Sequence, residues 1–509
     1  MPKPIAVCVG LLLLAVSSTA QDRTITTLID RVSEISLKTN LQKIAGPAME
    51  GRMAGSKGDE LAIQYIAGWF NTHRLARPYN SPTPYLQSVP LTNVTYRNSS
   101  LATDGKQYEL DKDWTYFLVD KAGTAINTEV VFIGYGLSAP AYDDLKDIDI
   151  EGKLVLQKSG APKDTSGKPL IPKEQMPDFL ARMSTLSGKK PAGMLMFVED
   201  PISEIAESTK DFKTFHPYQD MHTPGFPTLT GAILSKDLAG SILGGNIDSI
   251  YKLIAQSGKP HSFNTHKRVS LSIVETDDHR QSSNIIGIIY GTDTSQPGIV
   301  ITAHHDHEGV ANGKTYYGAD DNGTGTVALL EIVGILGDEA AKGHRPKRTL
   351  VFISTAAEEQ GLIGSTWYVA NPVLPINKTF CNINIDMIGR VDSFYSGKRP
   401  DSNYVYTTYK DLPGNTINWA KMKTIDDACC HLILDTLYNP KNRTPASSGL
   451  MGRADNLPFI KQQVPSIWFF GGFHADYHEP GDTWDKINFP LLKQRTQLAL
   501  ATIWQLAND

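Results

Sequence analysis

The chain has 509 residues, 40% of them hydrophobic and 20% charged, the balance of a globular protein rather than a disordered or membrane-embedded one. That length exceeds what one hydrophobic core usually serves, so more than one structural unit is expected. A formal net charge of −5 argues against nucleic acid as the main partner.

The N-terminus, "MPKPIAVCVGLLLLAVSSTAQD", has Lys3, an apolar run from Ile5 to Val16, and small residues at Ser18, Thr19 and Ala20. This is the layout of a secretory signal cut near Ala20, and the apolar run is short for a membrane span. An exported chain, periplasmic or secreted, with no stable membrane association after cleavage, is the expectation. Beyond Cys8 the cysteines are Cys381, Cys429 and Cys430. An odd count without any CxxC speaks against a disulfide framework and a zinc-thiolate site.

The stretch "RTITTLIDRVSEISLKTNLQKIAG" reads as helix. In "MEGRMAGSKGDELAIQYIAGWFNTHRL", Ser56 with Asp59 forms a capping-box-like start, and Leu61, Ala62, Tyr65, Ile66, Trp69 and Phe70 recur at helical spacing. "YLQSVPLTNVTY" resembles an edge strand. From about Trp114 to Lys267, short β-rich runs such as "TEVVFIGYGL", "GKLVLQKSG" and "AGMLMFVED" alternate with turns and carry few catalytic groups, the texture of a separate, smaller β-rich domain. From Ser283 onward the pattern is α/β. "NIIGIIYG", "GIVITA", "TLVFISTA", "CNINI" and "PSIWFFGG" are strand-length apolar runs, with helical stretches such as "GTVALLEIVGILGDEA" between them. Such strands belong in a sheet covered on both faces.

The chemistry gathers where these strands end. His304 follows "GIVITA", Glu358 and Glu359 follow "TLVFISTA", and Asp386 ends "CNINI". His478 comes beyond "PSIWFFGG", and Asp320 and Asp321 lie in "YYGADDNGTG" before a helix. Open α/β sheets build their sites at the carboxyl ends of strands. Histidines with carboxylates and no thiolates suit zinc, with manganese or cobalt as substitutes. Two ions sharing one aspartate would use so many carboxylates better than one ion, and such pairs activate water for hydrolysis. Competing motifs fail on counting. "HEGVA" and "HEPGD" lack the second histidine of HExxH, "GVANGKT" is one residue short of a phosphate-binding loop, and no GxSxG is present.

The segment "TAHHDHEG" leaves a choice open. Side chains alternate along a strand, so it offers His304 with Asp306 or His305 with His307, and the second pair looks the better chelate.

"AHHDHEG", "GADDNGTG", "AAEEQGLIGS", "NIDMIGR" and "DYHEPGDT", together with "MEGRMAGSKGDELAIQYI", resemble in order and spacing the dizinc exopeptidases of the bacterial leucyl aminopeptidase and glutamate carboxypeptidase type. "VVFIGYG" is similar to part of the protease-associated domain often inserted in that family. The resemblance implies a zinc exopeptidase fold: α/β, with a mixed, mostly parallel twisted sheet sandwiched by helices and a smaller β-rich insert. The implied divisions are a signal over 1–20, a discontinuous catalytic domain over 21–113 and 268–509, and an insert over 114–267.

Carried over by position, the resemblance makes Asp321 the carboxylate bridging two zinc ions. Glu359 and His478 complete one site, and His304 and Asp386 the other. Glu358 becomes the general base, and Asp306 stands behind His304 and orients its imidazole. His305 and His307 then take packing or outer roles. A cis peptide after Asp321 is implied too, with Gly323 easing the turn. The implied activity is hydrolysis of N-terminal residues from peptides with a free N-terminus.

The chain departs from the family pattern at Asn456, where many relatives have histidine after the aspartate matching Asp455. The dimerisation domain of the carboxypeptidase branch is expected to be absent. The alternatives are a glutaminyl cyclase or a dipeptidase or carboxypeptidase on the same fold, and a receptor-like binding protein. The complete ligand set argues against the cyclase and the receptor. Arg390 and His474 stand out without an assigned role.

Overall fold

The computed structural model describes residues 25–79, 82–95, 98–117, 125–172, 175–177, 179–208, 215–217, 229–274, 276–311, 313–396, 403–409, 419–437 and 453–509. The signal-like segment 1–20 lies outside them. The chain forms two compact units, one combining residues up to Leu91 with Arg280–Asp509, the other spanning Thr92–His279. Among the described residues, no helix is long and apolar enough to cross a membrane.

The first unit carries a mixed sheet. Its strands are β1 (Leu86–Thr95), β2 (Thr276–Ile289), β3 (Gly298–His304), β4 (Leu350–Thr355), β5 (Thr379–Asp386), β6 (Tyr404–Tyr409), β7 (Ile433–Asp435) and β8 (Ser466–Phe470). They lie in the order β1-β2-β4-β3-β5-β8-β6-β7. The four central strands β4, β3, β5 and β8 are parallel to one another, while β2 and β6 run antiparallel on either side.

Every residue of β3, β4 and β8 is buried, as their unbroken apolar runs require. Alternation sends Ile299, Ile301 and Ala303 of β3 into one core cluster and Val300 into the cluster on the opposite face. The larger cluster includes the helices Gly325–Ala341 and Phe489–Asn508. Each such aliphatic side chain contributes about 1.5–3 kcal/mol of burial.

The helix Lys57–Thr72 begins at Ser56, whose side chain accepts from the Asp59 amide. The reciprocal half of the capping box is not made. The Asp59 carboxylate instead accepts from Gly55 N at 2.8 Å and meets His305 Nε2 at 3.1 Å. A residue that reads as a local cap is thus also a long-range tie to the end of β3.

The second unit has its own core and its own eight-stranded sheet. The three runs singled out in its sequence form the strands Ala125–Ile133, Leu154–Lys158 and Gly193–Phe197, parallel to one another.

Candidate metal centre

Because β3, β4, β5 and β8 are parallel, their carboxyl ends open on one edge, and the segments leaving them meet there. His304 closes β3 and Asp386 closes β5. Glu358 and Glu359 follow β4, and His478 lies beyond β8. Asp321 comes from the turn before the helix Gly325–Ala341. The Asp321–Asn322 peptide is cis, as the resemblance implied.

That turn is tied down from all sides. The Asp482 carboxylate accepts from the amides of Asp320 and Asp321. Asn322 donates to Ile385 O at 3.0 Å and accepts from Met387 N at 3.1 Å, so it grips the residues on both sides of Asp386. Thr326 donates to His304 O at 2.7 Å. A Cβ on Gly323 would lie 2.9 Å from Gly318 O, a close approach that calls for glycine.

Asp321 stands between two histidines. Its Oδ1 is 3.4 Å from His304 Nε2, and its Oδ2 is 3.0 Å from His478 Nε2. On the first side Asp386 Oδ1 lies 3.5 Å from His304 Nε2; on the second Glu359 Oε2 lies 3.2 Å from His478 Nε2. Donor atoms of His304, Asp321 and Asp386 all fall within 4.8 Å of one another, and so do those of His307, Asp321 and Glu359. Three buried atoms of these groups, Asp386 Oδ1, His307 Nε2 and His478 Nε2, make no hydrogen bond despite these short separations. Lone pairs that converge without hydrogen-bond geometry suit a shared cation, and imidazole with carboxylate is a zinc-type donor set.

The electrostatics agree. Burial and the adjacent Asp321 charge push Glu359 up, but His478 and His307 outweigh them and hold its carboxyl at about 2. Burial also opposes ionisation of Asp321, yet the close imidazoles of His304 and His478 hold it well below the usual carboxylate range. Burial raises Asp386 to about 6. Burial likewise raises Glu358 well above its ordinary value; the His304 charge opposes this and Glu359 adds to it. Buried carboxylates at this density are costly without cations.

Asp306 differs in detail from the expectation. The hydrogen bond to His304 Nδ1 is to the Asp306 main-chain carbonyl, at 3.2 Å, while its carboxylate is 3.8 Å from that nitrogen. The two carboxylate oxygens instead receive the amides of Glu358 at 3.1 Å and Glu359 at 3.2 Å. Asp306 therefore fixes the glutamate pair with its side chain and the imidazole with its backbone.

His305 is fully buried away from the cluster, between Ser354 Oγ and Asp59 Oδ1, each 3.1 Å away. Arg390 pairs with Asp476 at 3.0 Å, and His474 Nε2 lies 3.3 Å from Asp320 Oδ2. Asn456 is fully buried beside Asp455, whose carboxylate accepts from Thr355 at the end of β4.

Glu308 and Arg52 had no assigned role in the sequence, and His307 only a packing or outer one. His307 Nδ1 meets Glu359 Oε1 at 2.7 Å, and Glu308 Oε1 lies 2.9 Å from His478 Nδ1. Arg52, fully buried, donates to the carbonyls of His305 at 2.6 Å, Ile44 at 2.8 Å, Tyr317 at 2.8 Å and Gly318 at 2.8 Å. Burial lowers its guanidinium to about 10 against the pull of Asp306, Asp482, Asp321 and Glu359. All three lie in segments already singled out, "MEGRMAG" and "TAHHDHEG", but their partners lie far along the chain.

Residues 284–503 match peptidase family M28. The chain is 26% identical over 355 residues to aminopeptidase NAALADL1 of Mus musculus, an alignment covering 67% of this chain and 45% of that protein. It thus spans about half the length of the curated relatives it matches. Among solved structures it resembles an aminopeptidase from Aneurinibacillus sp. strain AM-1, with a TM-score of 0.56 and 17% identity over 95% of this chain and 96% of the other. It also resembles the zinc aminopeptidase BSAP of Bacillus subtilis, with a TM-score of 0.52 and 18% identity over 94% of this chain and 96% of that one. These likenesses establish the α/β exopeptidase-type fold.

Proposed function

We propose that the chain, whose residues 284–503 match peptidase family M28, is a zinc metallo-aminopeptidase that removes N-terminal residues from peptides. The observation that carries the reading is Asp321, whose two oxygens face different histidines, each backed by a further carboxylate. His304, Asp321 and Asp386 would hold one zinc ion, and Asp321, Glu359 and His478 a second. Zinc at these residues would supply Lewis-acid polarisation of the scissile carbonyl and a more acidic water.

The chain's own groups then divide the work. Glu358, with Oε2 4.0 Å from His304 Nε2, stands beside the cluster with a carboxyl whose proton affinity is raised. Such a group accepts a proton from water and returns it to the leaving amine. Asp306 holds the amides on which Glu358 and Glu359 hang. The names of the relatives support a free α-amino group as the substrate's recognised end. Export is supported by the Ile5–Val16 run and the small residues before Ala20. The protease-associated-type insert expected over 114–267 falls inside the wider unit Thr92–His279, whose separate sheet and core support the reading.

The test is metal content paired with hydrolysis of free and N-blocked peptides. Two zinc ions per chain and cleavage of free N-termini alone are expected; one zinc, or cleavage of blocked peptides, overturns the reading.

Adjacent histidines give a second check. His304→Ala is expected to remove one zinc and His305→Ala to keep both. His305→Ala should still lower the melting temperature, since it leaves Asp59 buried without its imidazole, a loss on the order of 3 kcal/mol. Zinc lost from His305→Ala would reverse the assignment of the two histidines.

A further inference from the structure

His478 is the loosest member of the cluster. It sits outside regular secondary structure with φ at 54°, its side chain is 30% exposed, and its Nε2 makes no hydrogen bond. Three contacts set its ring: stacking on Tyr477, with centroids 3.9 Å apart, an edge-on approach of the His307 ring, with centroids 5.7 Å apart, and Glu308 Oε1, 2.9 Å from Nδ1. A proton on Nδ1 shared with Glu308 leaves the Nε2 lone pair facing Asp321 and Glu359. A carboxylate behind an imidazole both fixes the tautomer and strengthens the donor.

His307 treats Glu359 in the same way. Its Nδ1 is 2.7 Å from Glu359 Oε1 but 4.0 Å from Asp321 Oδ2, so it grips one carboxylate rather than joining both. His478 Nε2, by contrast, is close to both Asp321 and Glu359. Gly318 leaves room for the His307 ring, since a Cβ there would lie 2.4 Å from its Cγ. His307 is fully buried and is geometrically the other candidate donor, but its nearer nitrogen is committed to Glu359.

We infer that Glu308 is the positioning residue of His478 and His307 that of Glu359, so that His307 and Glu308 set the zinc affinity of the Asp321–Glu359–His478 site separately from the His304–Asp386 side. The inference rests on the two-ion reading. His304 needs neither residue, because the Asp306 carbonyl holds its Nδ1. Glu308 is partly exposed, with a side chain 21% accessible, so its replacement leaves the core untouched.

The experiment is a zinc-buffer titration of the full-length chain, reading bound zinc by mass spectrometry of the metal, for wild type, Glu308→Leu and Glu308→Gln. Wild type should release zinc in two steps. Glu308→Leu should weaken one step by ~10- to 100-fold and leave the other in place, with the melting temperature of the zinc-free chain unchanged. Glu308→Gln, whose amide oxygen still accepts from Nδ1, should recover part of the loss. Glu308→Leu with both steps at wild-type positions overturns the inference, and so does an equal shift of both steps or a Gln variant no better than Leu. Should wild type bind fewer than two ions, the two-ion reading fails and takes the inference with it. As a second arm, His307→Leu should weaken the same step as Glu308→Leu; weakening of the other step contradicts the pairing with Glu359.

Discussion

Glu358→Gln is expected to lower kcat by ~100- to 10,000-fold, the usual contribution of a positioned general base, while both zinc ions stay bound. Glutamine keeps the volume of the side chain and the amide that donates to Asp306, so the turn carrying Glu359 should be undisturbed. What it loses is the ability to take up and release a proton. Glu358 Oε2 is 4.0 Å from His304 Nε2, farther than the oxygens of Asp321 and Asp386, and Glu358 belongs to neither of the two donor clusters. Zinc per chain and kcat, measured on the same preparation, decide the matter. Loss of zinc along with activity would make Glu358 a ligand.

Asp321→Ala is the second large effect, expected to empty both sites where His304→Ala or Asp386→Ala empties one. The reason is arithmetic of donors: each cluster has one histidine, one private carboxylate and Asp321. Removing the shared member leaves each ion with two protein ligands, below the three or four that zinc sites use. Affinity should fall by more than the ~100-fold seen when only a partner behind a ligand is removed. The backbone should hold, because Asp482 grips the amides of residues 320 and 321 rather than the Asp321 side chain. Retention of one zinc at wild-type affinity in Asp321→Ala would contradict sharing.

Much of this architecture was legible because it rests on local periodicity. The buried parallel strands announce themselves as apolar runs, and β3, β4, β5 and β8 appear within a residue or two of "GIVITA", "TLVFISTA", "CNINI" and "PSIWFFGG". Strands β6 and β7 were not singled out. "YVYTTY" mixes polar and aromatic residues, and Ile433–Asp435 is only 3 residues long, too short for a pattern.

The candidate site shows the same division. The residues at strand ends converge because topology carries them there. The pairings that orient them do not follow from spacing. Asp59 looks like a helix cap and reaches His305 across 246 positions; Glu308 reaches His478 from a different loop. Arg52 sits in the singled-out "MEGRMAG", yet its four carbonyl partners become visible only when the chain is folded. Even within "TAHHDHEG", which nitrogen or oxygen of Asp306 and His304 meet is decided by the turn after β3 rather than by alternation along it.

The central claim is two ions held by one aspartate, and anomalous diffraction at the zinc edge from crystals of the zinc-loaded chain tests it most directly. Two anomalous peaks are expected, one on each side of Asp321, the first against His304 and Asp386 and the second against Glu359 and His478. A single peak, or a pair that leaves Asp321 outside the coordination of either, would contradict it.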